Sequence, residues 1–185
     1  MFEAISGLSA AFGLSGSAGL NAYIPLLLVA LAARFPMSDP LVKLQAPFDL
    51  LGSWWAIGLI AVLLVVEIVA DKIPAVDTVN DTIQTFIRPA AGAILFAGSA
   101  NVITDVHPIL ALGSGLLVAG GVHATKTAAR PVVTVTTGGI GNPIVSTLED
   151  IVAFVVSLLA IILPIIAAIL LIIFLFLVIY FVRRR

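Results

Sequence analysis

An all-α, polytopic helical membrane protein is the fold class this sequence predicts, and three observations predict it. Hydrophobic residues make up 61% of the 185-residue chain and charged residues 10%, against roughly 45–50% and 25% in soluble domains. Several apolar stretches reach the ~20 residues that a helix needs to cross a bilayer. These stretches are continuous rather than alternating, which excludes a closed β-barrel. The chain has room for about five spans, with broken or re-entrant helices, in one transmembrane domain covering residues 1–185.

Segment one runs from Phe2 to about Phe35 and is interrupted by Gly13-Leu-Ser-Gly-Ser-Ala-Gly-Leu-Asn21 and by Pro25. As one helix it would reach about 51 Å at 1.5 Å per residue, well beyond a hydrocarbon core of about 30 Å. A broken helix or a re-entrant pair is therefore expected. Interrupted apolar segments are a pointer to transporter binding sites; the plainer reading is that Gly and Ser let helices pack closely. The N-terminus carries Glu3 and no Lys or Arg, unlike a signal peptide, and is expected to be retained. A polar loop over 36–49 follows, with Pro36, Pro40, Lys43, Pro47 and Asp49.

Segment two, Leu50 to Ala70, is a clean span with Trp54 and Trp55 as interfacial anchors. Glu67 lies in its last turns, and Asp71 sits one turn further on the same face. From Val76 to Ile87 the spacing predicts an amphipathic helix: Asp77, Asp81, Gln84 and Arg88 form one stripe, and Val76, Val79, Ile83 and Phe86 the opposite one. Pro89 then opens segment three, to about Ile103. A turn through Asp105, His107 and Pro108 leads to segment four, about Ile109 to Ala129, whose glycines suit tight helix contacts.

The stretch Pro131 to Asn142, with its β-branched run and glycines, predicts extended or unwound backbone. At membrane depth such backbone is tolerated only beside protein or a watery cavity. After Pro143, Ser146 and Glu149 have capping-box spacing. Segment five continues to Val182, as one tilted span kinked at Pro164 or as a re-entrant leg followed by a span. Arg183, Arg184 and Arg185 end the sequence, and the positive-inside rule assigns them to the cytoplasm.

Two stretches resemble each other. Pro74-Ala-Val-Asp-Thr-Val-Asn-Asp81 aligns with Pro143-Ile-Val-Ser-Thr-Leu-Glu-Asp150 at Pro, Val, Thr and Asp. The chain accordingly reads as two related halves, 1–104 and 105–185. The alternative is that both stretches are ordinary helix starts, with Pro and a polar residue in the first turn.

Candidate chemistry falls into two groups. His123, Lys126 and Arg130 project from one face of segment four. They read either as cations favoured at a helix C-terminus or as an anion site. In the latter, Gly138 and Gly139 would offer backbone N–H groups, and Asn142 and Asn21 would line the cavity. Glu67, Asp71, Asp77 and Asp81 sit at the ends of apolar helices, where protonation or cation binding can be coupled to movement. For Asp77 and Asp81 the plainer role is helix capping and pairing with Arg88. Glu149 and Asp150 are the expected partners of any buried cation, and join the coupling set.

Other classes are excluded by what is missing. There is no cysteine, hence no disulfide or thiolate ligand. The two histidines are far apart and no HExxH occurs, so no metal is expected; GxSxG and GKS/T are absent too, and no cofactor is expected. A net charge of −1 with both signs dispersed offers no nucleic-acid surface.

Four stretches, in order, carry a family resemblance: SGSAGLNAYIPLLLVAL, DKIPAVDTVNDTIQTFIRPAAGAI, HATKTAARPVVTVTTGGIGNP and STLED. With them the chain resembles the bacterial integral membrane family catalogued as domain of unknown function 4126. The resemblance implies a small multi-pass protein of a prokaryotic inner membrane and carries no catalytic residues with it.

The expected function is a secondary transporter or permease for an anionic solute or lipid headgroup, coupled to protons or a cation. An intramembrane enzyme acting on a lipid phosphate and a structural or accessory membrane subunit are the alternatives. Besides the lipid bilayer and its solute, the expected partner is a second copy of the chain, in a symmetric homo-oligomer.

Overall fold

The computed structural model describes residues 2–35, 44, 46–99, 106–166, 169 and 173. Among the described residues the helices are α1 Phe2–Leu20, α2 Tyr23–Arg34, α3 Trp54–Ala70, α4 Pro74–Gly98, α5 Pro108–Thr137 and α6 Asn142–Ile162, with a 3-10 turn at Phe48–Gly52 and helical residues again from Pro164. There is no strand among the described residues, and the fold is all-α. Two of the helices, α5 and α6, are long and apolar enough to cross a membrane. The expectations placed on Pro36, Pro40, Lys43, Asp105 and the terminal arginines lie outside the described residues.

Segment one is broken, and the break sits at Asn21-Ala22. Asn21 Oδ1 accepts from the backbone N–H groups of Tyr23 (3.0 Å) and Ile24 (3.1 Å), so one side chain satisfies the first turn of α2. Gly13, Gly16 and Gly19 stay inside α1. Pro25 falls in the first turn of α2, where its missing N–H costs nothing.

Helix α1 is the centre of the molecule. Phe12 packs edge-on against Phe96 of α4, Ser15 Oγ donates to the Gly92 carbonyl (2.9 Å), and Gly19 abuts Ala119 and Val122 of α5. Ser17 Oγ donates to the Ala153 carbonyl of α6 (2.7 Å). Helix α2 then doubles back. Its Ala33 neighbours Gly52, while Phe48, just before, packs on Gly98 at the same end of α4 as Phe96. The Asn21-Ala22 tip of this hairpin is buried.

Three expectations are corrected. Pro89 does not open a helix, because α4 passes through it, and α5 likewise passes through Pro131. The run after Pro131 is not extended: α5 continues to Thr137. Its threonines return their hydroxyls to the preceding turn, Thr134 to Arg130 O, Thr136 to Val132 O and Thr137 to Val133 O. A β-branched run with no strand to pair with is accommodated this way. Ser146 is not a cap, since α6 begins a turn earlier at Asn142. The kink in segment five falls at Leu163 (φ −134°, ψ 62°), the residue that Pro164 restricts.

Helices α4 and α5 share the largest interface, and small residues allow it. A Cβ on Gly92 would lie 2.8 Å from the Gly115 carbonyl, and one on Gly115 would lie 2.8 Å from the Ala93 Cα. Beyond this crossing the polarity is inverted relative to a water-soluble protein. Arg88, Gln84, Glu67 and Asp71 are among the largest fully buried side chains. Val62, Val66, Phe86, Leu117 and Val135 face outward, Phe86 at 76% and Val135 at 83% exposure. Pro74 and Pro143, which begin the two similar stretches, both lie in the first turn of a helix, α4 and α6.

Candidate functional site

The buried charges meet in one place, at the end of α3, the first half of α4, the second half of α5 and the start of α6. Local periodicity aims them there. Glu67 and Asp71 are one turn apart on α3 and its cap, and Asp81, Gln84 and Arg88 share a face of α4. His123, Lys126 and Arg130 share a face of α5, and Ser146, Glu149 and Asp150 come from the first turns of α6.

Arg88 is the first hub. Its Nη2 donates to Glu67 Oε1 at 2.9 Å and lies 3.8 Å from Asp71 Oδ2, while Nη1 lies 3.8 Å from Asp81 Oδ1. The same Nη1 is 2.9 Å from His123 Nδ1. Asp71 is the second hub. Besides Arg88 it faces Lys126 Nζ at 3.7 Å and Arg130 Nη2 at 3.9 Å. It also accepts from Asn80 Nδ2 at 2.7 Å and Ser146 Oγ at 3.4 Å. Glu149 clamps the two α5 cations, 2.9 Å from Lys126 and 3.2 Å from Arg130. Lys126 also donates to the Leu20 carbonyl at the open end of α1 (3.1 Å).

A satellite pair flanks the cluster. Asp150 accepts from Asn21 Nδ2 (2.9 Å) and faces Lys72 (3.7 Å). This ties the hairpin tip to the turn between α3 and α4.

Burial makes this arrangement obligatory, because an isolated charge taken from water costs several kcal/mol and pairing has to offset it. Among the described side chains of the main cluster, Glu67, Asp71, Asp81 and Glu149 face Arg88, Lys126 and Arg130. Four carboxylates against three cations leave one negative charge, which a proton or a monovalent cation can neutralise. Glu67 Oε2 and Gln84 Oε1 are buried and have no hydrogen-bond partner among the described residues.

A cleft of about 680 Å³ opens beside the cluster, between α4 and α5. Asp81 and Arg130 carry its charge, Thr85, Thr127 and Thr134 line its walls, and Phe86 belongs to its apolar surface.

The structure brings together Glu67, Asp71, Asp81, His123, Lys126, Arg130 and Glu149, with Asn21 and Asp150 at the margin. The N–H groups of the glycine turn, expected to face an anion, are already committed. Gly138 (φ 62°) and Gly139 (φ 87°) both spend their N–H groups on the Thr134 carbonyl to close α5, as a left-handed helix cap does. Asn142 lines the cleft, but its Nδ2 is engaged by Thr134 Oγ1 at 3.0 Å. Asp77 lies on the first turns of α4, and its side chain is outside those described. Sequence reasoning missed Arg88 as the hub, along with Asn80, Lys72 and Ser146. Its signal was present, since Arg88 continues the Asp81-Gln84 stripe, but it read as local helix pairing.

A family model described as Domain of unknown function (DUF4126) matches residues 8–184. No curated protein and no solved structure matches.

Proposed function

The chain belongs to the family described as domain of unknown function 4126, and from its buried charges we propose a multi-pass membrane transporter that moves a small anion together with a proton. One observation carries this reading: an ion network, with four carboxylates to three cations among its described side chains, is buried under an apolar exterior and bordered by a cleft. Ionisable groups in such surroundings are expensive and mark solute or proton pathways. The apolar outer surface supports membrane residence, since exposed apolar area on this scale is rare on soluble monomers. The location in this reading is a bacterial inner membrane, with the C-terminus in the cytoplasm.

The chemistry follows from competition. Lys126 and Arg130 are held by Glu149 and Asp71. An anion carboxylate or phosphate arriving through the cleft can bind these cations only by displacing a resident carboxylate. The displaced carboxylate, buried and unpaired, raises the affinity of the cluster for a proton. Anion and proton thus enter together and the buried charge is unchanged, which gives coupling without a large electrostatic cost. The broken α1–α2 backbone, with Asn21 at its tip, supplies the interrupted helix pair found at transporter sites.

The lipid-phosphate enzyme is supported less well. A general base needs an uncommitted lone pair near its target proton, whereas His123 has one ring nitrogen against Arg88 and the other against Thr85.

Reconstituted protein tests the proposal, with vesicles carrying a lumenal pH dye and a panel of phosphate, acetate and fluorescent phosphatidylglycerol. Wild type is expected to acidify the lumen as one probe enters. Arg130→Ala and Asp71→Asn abolish this while still inserting as monodisperse protein. Equal rates in wild type and both variants overturn the reading.

A further inference from the structure

His123 belongs to the cationic face of α5 by sequence, yet its contacts fix it as a neutral ring. Arginine has only donors, so Nδ1, 2.9 Å from Arg88 Nη1, must present its lone pair. The proton of the neutral ring is then on Nε2, which donates to Thr85 Oγ1 at 3.1 Å. Thr85 passes its own hydroxyl proton to the Asp81 carbonyl at 2.8 Å, so the donor order is consistent from end to end. A charged imidazolium would set an N–H against the guanidinium N–H. The ring can therefore accept a proton only after Arg88 has left it.

Arg88 has somewhere to go. Its guanidinium lies 3.8 Å from both Asp71 and Asp81, outside hydrogen-bond distance of either. Thr85 and Thr127, which flank Nε2, line the cleft, so the cleft extends to the residues that touch the ring.

We propose that His123 is the carrier of the coupled proton and Arg88 its gate, rather than His123 being an anion ligand. When the guanidinium closes onto Asp71 or Asp81, Nδ1 is freed and one N–H bond forms there, the proton coming from a hydronium ion that leaves as water. When Arg88 returns, that proton is expelled. The charged groups around this exchange are Glu67 and Asp71 of α3, Asp81 and Arg88 of α4, Lys126 and Arg130 of α5 and Glu149 of α6. The inference deepens the transport reading and rests on it for the role of the proton. The gating itself can be judged separately.

His123→Gln is the decisive variant, because its amide oxygen accepts from Arg88 and its amide nitrogen donates to Thr85 without titrating. In vesicles it is expected to insert as monodisperse protein and to lose the acceleration of probe uptake by an inward proton gradient. Retained acceleration overturns the proposal. Imidazole nitrogen NMR in nanodiscs, with His107→Gln removing the other histidine, reads the gate directly. Wild type should show the neutral Nε2–H form at neutral pH, and Arg88→Lys, which loses the fork that spans Glu67 and Nδ1, should let the ring charge more readily on acidification. A charged ring in wild type, or identical titration in both proteins, sinks the gate. If wild type moves no probe, the transport reading falls, and the NMR result still decides the gate.

Discussion

Arg88 is wholly buried, so its charge has to be matched where it stands. Glu67 does this at 2.9 Å, and His123 takes up the other fork nitrogen. Removing one partner of such a pair leaves the other charge stranded, which costs about 3–5 kcal/mol, whereas removing both costs far less. Arg88→Met is therefore expected to lose about that amount in reversible unfolding from detergent. The Glu67→Gln/Arg88→Met double variant should lose less than the two single losses together. Strict additivity would mean that the pair is not coupled. Sequence alone placed Arg88 on a polar stripe with Asp81, a separation any helix defines. It could not supply Glu67, 21 residues before, or His123, 35 residues after, because those partners depend on which helix faces which.

Helices α4 and α5 cross where Gly92 meets Gly115 and Ala119, while Gly121, on the same helix as Gly115, has nothing within 4 Å of an added Cβ. Overpacking of a tight contact costs typically about 1–3 kcal/mol. Gly92→Ala and Gly115→Ala should thus lower stability by that order, and Gly121→Ala should leave it unchanged or slightly raised. Thermal unfolding in detergent checks the set, and a uniform response across the three would remove the crossing as the point of closest approach. The crossing also bears on the site, because the cleft lies between the same two helices on the Arg130 side. Glycines in segment four signalled close packing in the sequence. Which of them carry it was not legible, since a glycine that faces a neighbouring helix and one that faces outward are written identically.

Among the described residues, Arg88, Arg130 and Glu67 are buried while Val62, Val66 and Phe86 are exposed, the arrangement that the membrane reading expects. The absence of native cysteine makes this easy to probe. Single cysteines at Val62, Val66 and Leu117 in membranes should resist a water-soluble maleimide and be accessible to a lipid-borne quencher after labelling in detergent. Ready labelling of all three in intact membranes would argue for a water-exposed surface. Trp54 and Trp55 belong to the same picture: both are exposed, and Arg34 stacks over the Trp54 ring at 4.9 Å, an amphipathic grouping suited to a headgroup layer.

Composition and periodicity by themselves determined the helical class, the break in segment one and the polar faces of α3, α4 and α5, because each depends on residues within a few turns of one another. The tertiary structure alone decided that the carboxylates and cations are each other's partners, that the N–H groups of the glycine turn close a helix, and that Pro89 and Pro131 lie within helices. Those outcomes hang on burial. Once α1 holds α4, α5 and α6 together and α3 joins them through α4, an unpaired charge is too costly to leave, and the network assembles from residues up to 82 positions apart, from Glu67 to Glu149.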